Sequence, residues 1–509
     1  MIVNLKALVV VLAIAVGVFY FAKPLCLRFM SAEDFARRRG VWFALTITAF
    51  VVPSFWLYVA VALAVLAWSV RKDSNPVALY LLMLHVIPPV RTQIPVEFVT
   101  QLFDVNNYRV VAFAVLIPAA WRVLRLQGGA EMKLTWADTL LLSYCALQLI
   151  LYVPYESITH SARRAFLLSI DVLVLYFVIS RTCTNRRAIV EAMAALCLAC
   201  ALFAPMALFE HIKGWLLYEG LGFQWGNAIP FSYIVRGDSL RASVSAGHAI
   251  PLGYLMALGF GFWLYLSSRV RSPGLTMAVS ALMWIGLLAA YSRAPWIMGV
   301  AVLFIYIALG PNGAARFFSA SLVAAAAAGL VLLSPLGALI IDNLPFIGTV
   351  DVETVIYRER LAEASWRLIS NNPLFGHPFY EDFLEDLRQG QGIIDLMNGY
   401  AAVALAYGLV GLGLLMGFFL SCFWNAYRVS RAMARADVDL SMVGASLVAC
   451  MAGTLLMLAM GGFGGGVEKM FYVLAGLAAG YAQLARASHP AHARALHEAA
   501  PIPATPPRR

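Results

Sequence analysis

The sequence is poor in charge. Asp, Glu, Lys and Arg make up only 13% of its 509 residues, against 62% hydrophobic. A soluble domain carries roughly twice that charged fraction, so too few polar side chains remain to cover a water-soluble globule of this size. Disorder is excluded as well, because aromatic and branched apolar residues are abundant. Cysteine is scarce and poorly placed for cross-linking. The seven (Cys26, Cys145, Cys183, Cys197, Cys200, Cys422 and Cys450) lie mostly inside apolar runs, and the long polar loops contain none. They read as packing residues, with no disulfide framework and no metal-ligand cluster. Cys197 and Cys200 have a redox-motif spacing but fall mid-membrane. There is no P-loop and no dinucleotide-binding glycine motif, which argues against nucleotide chemistry. No internal repeat is evident, which weakens a secondary-transporter reading.

What the sequence has instead is a series of long apolar runs. They are too continuous for the alternating strands of a membrane barrel. They predict an all-α polytopic membrane protein, with about 12–15 transmembrane helices. The expected spans lie near 3–22, 41–52, 53–70, 76–90, 108–121, 137–153, 165–180, 188–210, 248–267, 273–291, 295–310, 317–341, 398–420, 439–460 and 467–484. Pro53 is expected to break the 41–70 stretch into a hairpin or re-entrant pair. Residues 2–22 resemble a signal peptide, but the run is long and lacks a small-residue cleavage site before Lys23, so it is taken as the first span.

The net charge is +10. Nucleic acid is not the expected partner, because the basic residues sit in short loops between apolar runs and set orientation. Lys23, Arg28, Arg37 to Arg39, Arg71, Lys72, Arg122, Arg125, Lys133, Arg181, Arg186, Arg187, Arg269, Arg271, Arg428, Arg431 and Arg435 can all face the cytoplasm if the spans alternate. The tail from 486 is then cytoplasmic and is expected to be disordered. The chain divides into helices over 1–210, a central group over 211–341 with an outer loop at 211–247, a large outer loop at 342–397, and C-terminal helices over 398–485.

The 342–397 loop differs sharply from the rest. It holds ten acids and four arginines, more than a third of all acids in the chain. Residues 354–370 show helical periodicity, with Tyr357, Leu361, Ala364 and Leu368 on one face. Asn371, Asn372 and Pro373 end that helix. A structured outer loop on a compact membrane protein is where function is sought.

Positive-inside bias makes outer-face arginine uncommon, so four such residues ask for partners: Arg241, Arg293, Arg358 and Arg360. Arg293 sits in Tyr291-Ser-Arg-Ala-Pro-Trp296, a tight turn between two spans. There its charge must meet a lipid phosphate, a carboxylate or a substrate anion; snorkelling to a lipid headgroup is the plainer alternative. Arg241 opens the run to Gly253, with His248 close by, and the plainer reading there is a residue leading into a helix. For Arg358 and Arg360 the plainer reading is a solvated helix face with Glu359 and Glu363 as partners. Together they suggest an anion site at the outer boundary, since planar guanidinium groups suit phosphate recognition by paired hydrogen bonds. A lipid-linked pyrophosphate fits this placement.

A second constellation follows in Asn371-Asn-Pro-Leu-Phe-Gly-His-Pro-Phe-Tyr380, then Asp395-Leu-Met-Asn398-Gly-Tyr400 and Tyr407-Gly-Leu-Val-Gly-Leu-Gly413. His377, Glu381, Asp395 and Asn398 are its polar groups. A carboxylate or imidazole here could serve as general base toward a sugar hydroxyl. Against this stand a solvated acid and a loop-packing histidine.

On these residues the chain resembles the O-antigen ligase and O-antigen polymerase superfamily of bacterial membrane glycosyltransferases, over roughly residues 90–415. Phe103-Asp-Val-Asn-Asn-Tyr-Arg109 is similar to a segment of some members. The run from Arg241 to Gly253 is similar to the family's Arg-led approach to a central span. Ser292-Arg-Ala-Pro-Trp296 resembles its Ser-Arg-Gly-x-Trp turn. Arg358 precedes Pro-Leu-Phe-Gly by fifteen residues as in its long loop, and Asn398-Gly-Tyr400 with Gly408-Leu-Val-Gly411 matches the end of that loop. Family ligases carry His-Asn where this chain has Met397-Asn398. That departure counts against a ligase of the usual kind and leaves a polymerase, with His377 or Asp395 as substitutes for the histidine.

The resemblance implies a GT-C-like fold and transfer of a glycan from a polyprenyl-pyrophosphate carrier at the periplasmic face of the inner membrane, with inversion at the anomeric carbon. It implies no metal and no cofactor. Arg241, Arg293, Arg358, Arg360 and His248 are the expected substrate-binding residues, and His377, Asp395 and Asn398 the expected catalytic ones. The expected partners are the lipid-linked glycan, membrane lipid and other polysaccharide-assembly proteins. Transfer to lipid A core or protein is the near rival. A transporter or flippase is the distant one, because the runs hold few mid-membrane charges beyond Glu191 and Glu210 near span ends.

Overall fold

The computed structural model describes residues 2–90, 92–93, 104–126, 134–225, 234–236, 239–334, 352–388, 394, 396 and 398–488. The helices run α1 Ile2–Cys26, α2 Ala32–Val51, α3 Phe55–Lys72, α4 Pro76–Met83, α5 Asn107–Val111, α6 Ile117–Leu126, α7 Trp136–Tyr152, α8 Ile158–Leu168, α9 Leu175–Thr182, α10 Arg186–Lys213, α11 Glu219–Gln224, α12 Ala249–Ser267, α13 Pro273–Ala289, α14 Arg293–Leu309, α15 Gly313–Leu332, α16 Val352–Asn371, α17 Gly399–Met433, α18 Val438–Met460 and α19 Gly465–Ser488. Two antiparallel pairs of two-residue strands, β1 Thr92–Gln93 with β2 Asp104–Val105 and β3 Val235–Arg236 with β4 Ser239–Leu240, pin loops between them. Among the described residues, nine helical segments are long and apolar enough to cross a membrane, and α13 and α14 are shorter apolar helices. The protein is an all-α polytopic membrane protein.

The helix boundaries follow local chemistry. Asn and Ser residues cap α3, α4, α8, α10, α13 and α17, each side-chain oxygen accepting a backbone N–H of the first turn. Pro53 separates α2 from α3, as its missing N–H and fixed φ require. The 76–90 stretch departs from the expected span. It is only the short helix α4 followed by turn and irregular chain. Its side chains are buried on every side, so its apolar character marks the protein interior and not a lipid-facing crossing. Residues 108–121 and 165–180 each contain a π-helical turn, Ala112–Leu116 and Ser169–Val174.

The core sits around α10 and α12, the two spans most enclosed by protein. All seven cysteines are buried free thiols, and the Cys197 and Cys200 Sγ atoms each donate to a carbonyl of α12, at 3.2 Å. Several charges inside the bundle are paired. Arg38 bridges Asp73 (2.6 Å) and Glu191 (2.8 Å), and Asp171 takes both Arg109 (2.9 Å) and Lys469 (3.2 Å).

The outer loop folds as a small unit of its own. α16 spans the predicted helix and ends at Asn371. Leu361 buries itself against Leu384 and Leu387, with Tyr357, Ala364 and Leu368 packed beside them, which is the face that the periodicity predicted. The Pro373–His377 turn then docks on a break in α17. Gly408 adopts φ 67°, ψ −175°, and a side chain there would collide with the Leu374 carbonyl at 2.1 Å. Backbone groups freed by the break are taken up by the loop: His377 N–H donates to Leu405 O (2.7 Å), and Leu409 and Val410 N–H donate to Pro373 and Leu374 O (2.8 and 3.1 Å). Glycine is required because its backbone alone fits both the positive φ and the close approach. The tail beyond 488 lies outside the described residues.

Candidate functional site

One cavity of about 490 Å³ opens where the loop helix faces the ends of α12, α14, α17 and α18. Four arginines line it: Arg236, Arg241, Arg293 and Arg358. No carboxylate occurs among its described lining residues. Sequence neighbours do not create this cluster, since the four come from three separate segments.

Each arginine has a definable support. Arg293 starts α14, after a turn in which Tyr291 takes a positive φ of 45°. Trp296 holds that turn closed, its indole Nε1 donating to Leu287 O at 2.9 Å and its ring meeting Tyr291 edge-on. α12 can lie close to this turn because residue 253 is glycine: a Cβ there would sit 2.8 Å from Pro295. Arg241 is held by its backbone. Its N–H donates to Ile234 O (3.0 Å), and that of Ala242 donates to Ala289 O (3.1 Å), beside the Arg293 turn. Glu210, at the end of α10, completes the support. Its carboxylate accepts from the backbone N–H groups of Leu217, Ser243 and Val244 at 2.9, 3.0 and 2.9 Å. Val244 sits at φ 47°, a strained state for a β-branched residue, maintained by that carboxylate.

Arg358 reaches in from α16. The spacing of Arg358, Leu361, Ser365 and Ile369 puts one helix face along the cavity wall. Arg358 Nε and Arg293 Nε and Nη2 are buried with no hydrogen-bond partner among the described residues, as is Ser365 Oγ. An unsatisfied buried donor costs about 1–3 kcal/mol, more when charged. Three cationic donors in one cavity are left in this state.

The remaining expected residues fall differently. Asn398 lines the cavity, but its Oδ1 caps α17, accepting from Tyr400 and Ala401 N–H at 2.9 and 3.1 Å. What it has left to offer is its amide N–H donors, so it cannot serve as a base. Arg360 is exposed on α16 and does not line the cavity, because two residues along a helix turn the side chain about 200°. His248 caps α12, with Nδ1 accepting from Ile250 N–H at 3.3 Å. Burial, and then the charge of Arg241, push its pKa down to about 4. It is neutral at pH 7 and does not bind an anion as a cation. His377 packs among the rings of Tyr155, Phe379 and Phe383, its Nδ1 accepting from Phe379 N–H, and it does not line the cavity. Asp395 lies outside the described residues.

Sequence reasoning missed Arg236 and Glu210. Arg236 lies five residues before Arg241, in the same outer loop, and that proximity was the available signal. Glu210 stood out only as an acid near a span end; its partners are backbone groups of the next segment, which no local signal gives.

The fold and the cavity define a multi-pass membrane protein with an arginine-lined cavity at one end of its helices. Residues 278–416, a little over a quarter of the chain, match the family model described as O-antigen ligase. This match supports the O-antigen ligase and polymerase superfamily for the chain, and with it glycan transfer of the O-antigen ligase type. It covers Arg293, Arg358 and Asn398. No curated protein matches the chain.

Proposed function

We propose that the chain is a polysaccharide repeat-unit polymerase of the bacterial inner membrane, transferring a glycan from a polyprenyl-pyrophosphate carrier at the periplasmic face. The observation that carries this is the cavity of Arg236, Arg241, Arg293 and Arg358 without a carboxylate. Charge of one sign, gathered at a membrane face with buried unused donors, suits a multiply charged anion. A diphosphate offers enough oxygens to engage several guanidinium groups at once.

In this reading the acceptor hydroxyl attacks the anomeric carbon as the carbon–oxygen bond to the pyrophosphate breaks. One displacement inverts the anomeric centre. The arginines stabilise the charge that develops on the departing diphosphate, and they need no reorganisation to do so. The Asn398 amide is placed to donate into the same cavity. The acceptor proton goes to a base, and Asp395 is the proposed one, since His377 is packed among aromatic rings. Leu396, next to Asp395 in sequence, lines the cavity.

Ligase-type transfer to lipid A core or protein uses the same donor. The polymerase is favoured by Met397, which stands where family ligases carry histidine. A deletion strain separates the two. Loss of a polymerase leaves product capped with single repeat units, whereas loss of a ligase leaves long chains on the carrier lipid. For the site itself, purified protein in vesicles supplied with lipid-linked oligosaccharide should lose transfer on Arg293→Glu. Wild-type transfer by that variant would remove the arginine cavity from the mechanism.

A further inference from the structure

The opposite end of the bundle holds a second cationic cavity that glycan transfer does not use. Arg28, Arg186, Arg187 and Arg269, with Phe29 and Tyr265, line a space of about 500 Å³. Tyr265 lies near the end of α12 and Ile250, which lines the first cavity, near its start. Fifteen residues of helix put the two about 22 Å apart along the axis.

The charge here is only partly balanced. Arg186 pairs with Asp437 and Asp439, and Arg269 also pairs with Asp439. Arg28 donates only to the Arg269 carbonyl, at 2.9 Å, and Arg187 is exposed with no ion pair among the described residues. Four cations therefore face two carboxylates. Phe29 also lines a separate space of about 510 Å³ between α1, α10 and α13, walled by side chains such as Phe21, Leu25, Ala201 and Leu282 and by Gly17. No charged residue lines it. The positive cleft and the apolar groove thus lie side by side, sharing Phe29 as a wall.

We propose that this face binds an anionic diacyl phospholipid, its phosphate on Arg28 and Arg187 and one acyl chain in the groove of α1, α10 and α13. A head of negative charge joined to a long apolar tail satisfies both spaces at once. A soluble phosphate would fill only the cleft, and an uncharged lipid only the groove. Basic clefts between helices at the headgroup level recognise lipid in this way. The site is independent of the glycan-transfer reading, because none of its residues lines the first cavity.

The test uses the full chain in phosphatidylcholine nanodiscs with phosphatidylglycerol titrated in, the retained lipid being counted by native mass spectrometry. Selective retention of phosphatidylglycerol is expected. The double variant Arg28→Gln/Arg187→Gln should weaken it about thirtyfold, at roughly fivefold for each arginine near a charged lipid surface. Neither residue has a carboxylate partner among the described residues to lose. Gly17→Phe leaves the charge untouched and fills the groove at a position where an added Cβ meets nothing within 4 Å; it should also abolish selectivity. Equal retention by the wild type and both variants would overturn the site. So would competition by glycerol 3-phosphate at matching concentrations, which would reduce it to a phosphate cleft. Preferential retention of polyprenyl phosphate over phosphatidylglycerol would overturn the assigned occupant.

Discussion

Two groups of arginines lie inside this protein, and they differ in their company. Arg38 and Arg109 sit within the bundle, each facing carboxylates: Asp73 and Glu191 for the first, Asp171 for the second. Arg293 and Arg358 sit in a cavity at the membrane face whose described lining holds no carboxylate. Residue type does not separate the two groups, and Arg109, Arg293 and Arg358 are alike half-buried. A buried charge that brings its own counter-charge serves the scaffold, because breaking the pair leaves an uncompensated ion. A buried charge without one is held ready for a charge from outside.

This contrast can be broken by mutation. The largest effect is expected at the cavity. Arg293→Gln should lower initial transfer rates by at least about a hundredfold, the usual loss for one donor to a developing charge, and Arg293→Glu by more. Thermal stability should be close to wild type, because no internal pair is lost. A fall in stability with an intact rate would place Arg293 with the scaffold group.

Arg38→Met should do the reverse. It leaves Glu191 without an ion pair and Asp73 with only the longer contact to Arg37 (3.8 Å), and is expected to destabilise the fold by about 3–5 kcal/mol, read as thermal unfolding in detergent. The specific activity of the monodisperse fraction should stay near wild type. A purely kinetic defect would contradict the division.

A smaller effect sharpens the electrostatics of the cavity's edge. The pKa of His248 lies at about 4 in the folded chain against an ordinary 6.5, lowered by burial and by Arg241. The unfolded chain therefore takes up this proton first as pH falls. The neutral histidine's contribution is intact above pH 6.5, is lost progressively from there down to pH 4, and falls no further below it. His248→Asn, whose Oδ1 can replace Nδ1 as the capping acceptor, should flatten that limb of a stability–pH curve. An unchanged slope would show that His248 is not the titrating group. The smallest effect is expected for Arg360→Ala, on the exposed face of α16: rate and stability should change by no more than about twofold, the range of ordinary surface substitutions.

Most of the membrane architecture could be read directly from the sequence. Apolar runs, capping residues and Pro53 mark the helices, because those signals are local and the bilayer enforces them. α16 was predicted to within two residues at each end, together with its packing face, since a lone amphipathic helix carries its own periodicity. The reading failed where the surroundings decide. Residues 76–90 are as apolar as a span yet make a short interior helix, and hydropathy alone does not distinguish lipid from protein as the apolar neighbour. His377 and Arg360 have suitable chemistry in the right loop, but one is wedged among rings and the other turned outward.

The sequence by itself determined a polytopic helical protein with arginines concentrated near one outer loop, because helix length, hydropathy and charge are properties of short segments. Only the tertiary structure decided which arginines meet. Arg236, Arg241, Arg293 and Arg358 converge through a glycine that lets α12 approach α14, a Glu210 carboxylate that holds the 241–246 turn by its backbone, and a broken helix at Gly408 that seats the loop. These are contacts between distant segments, and their geometry depends on packing that no local pattern encodes.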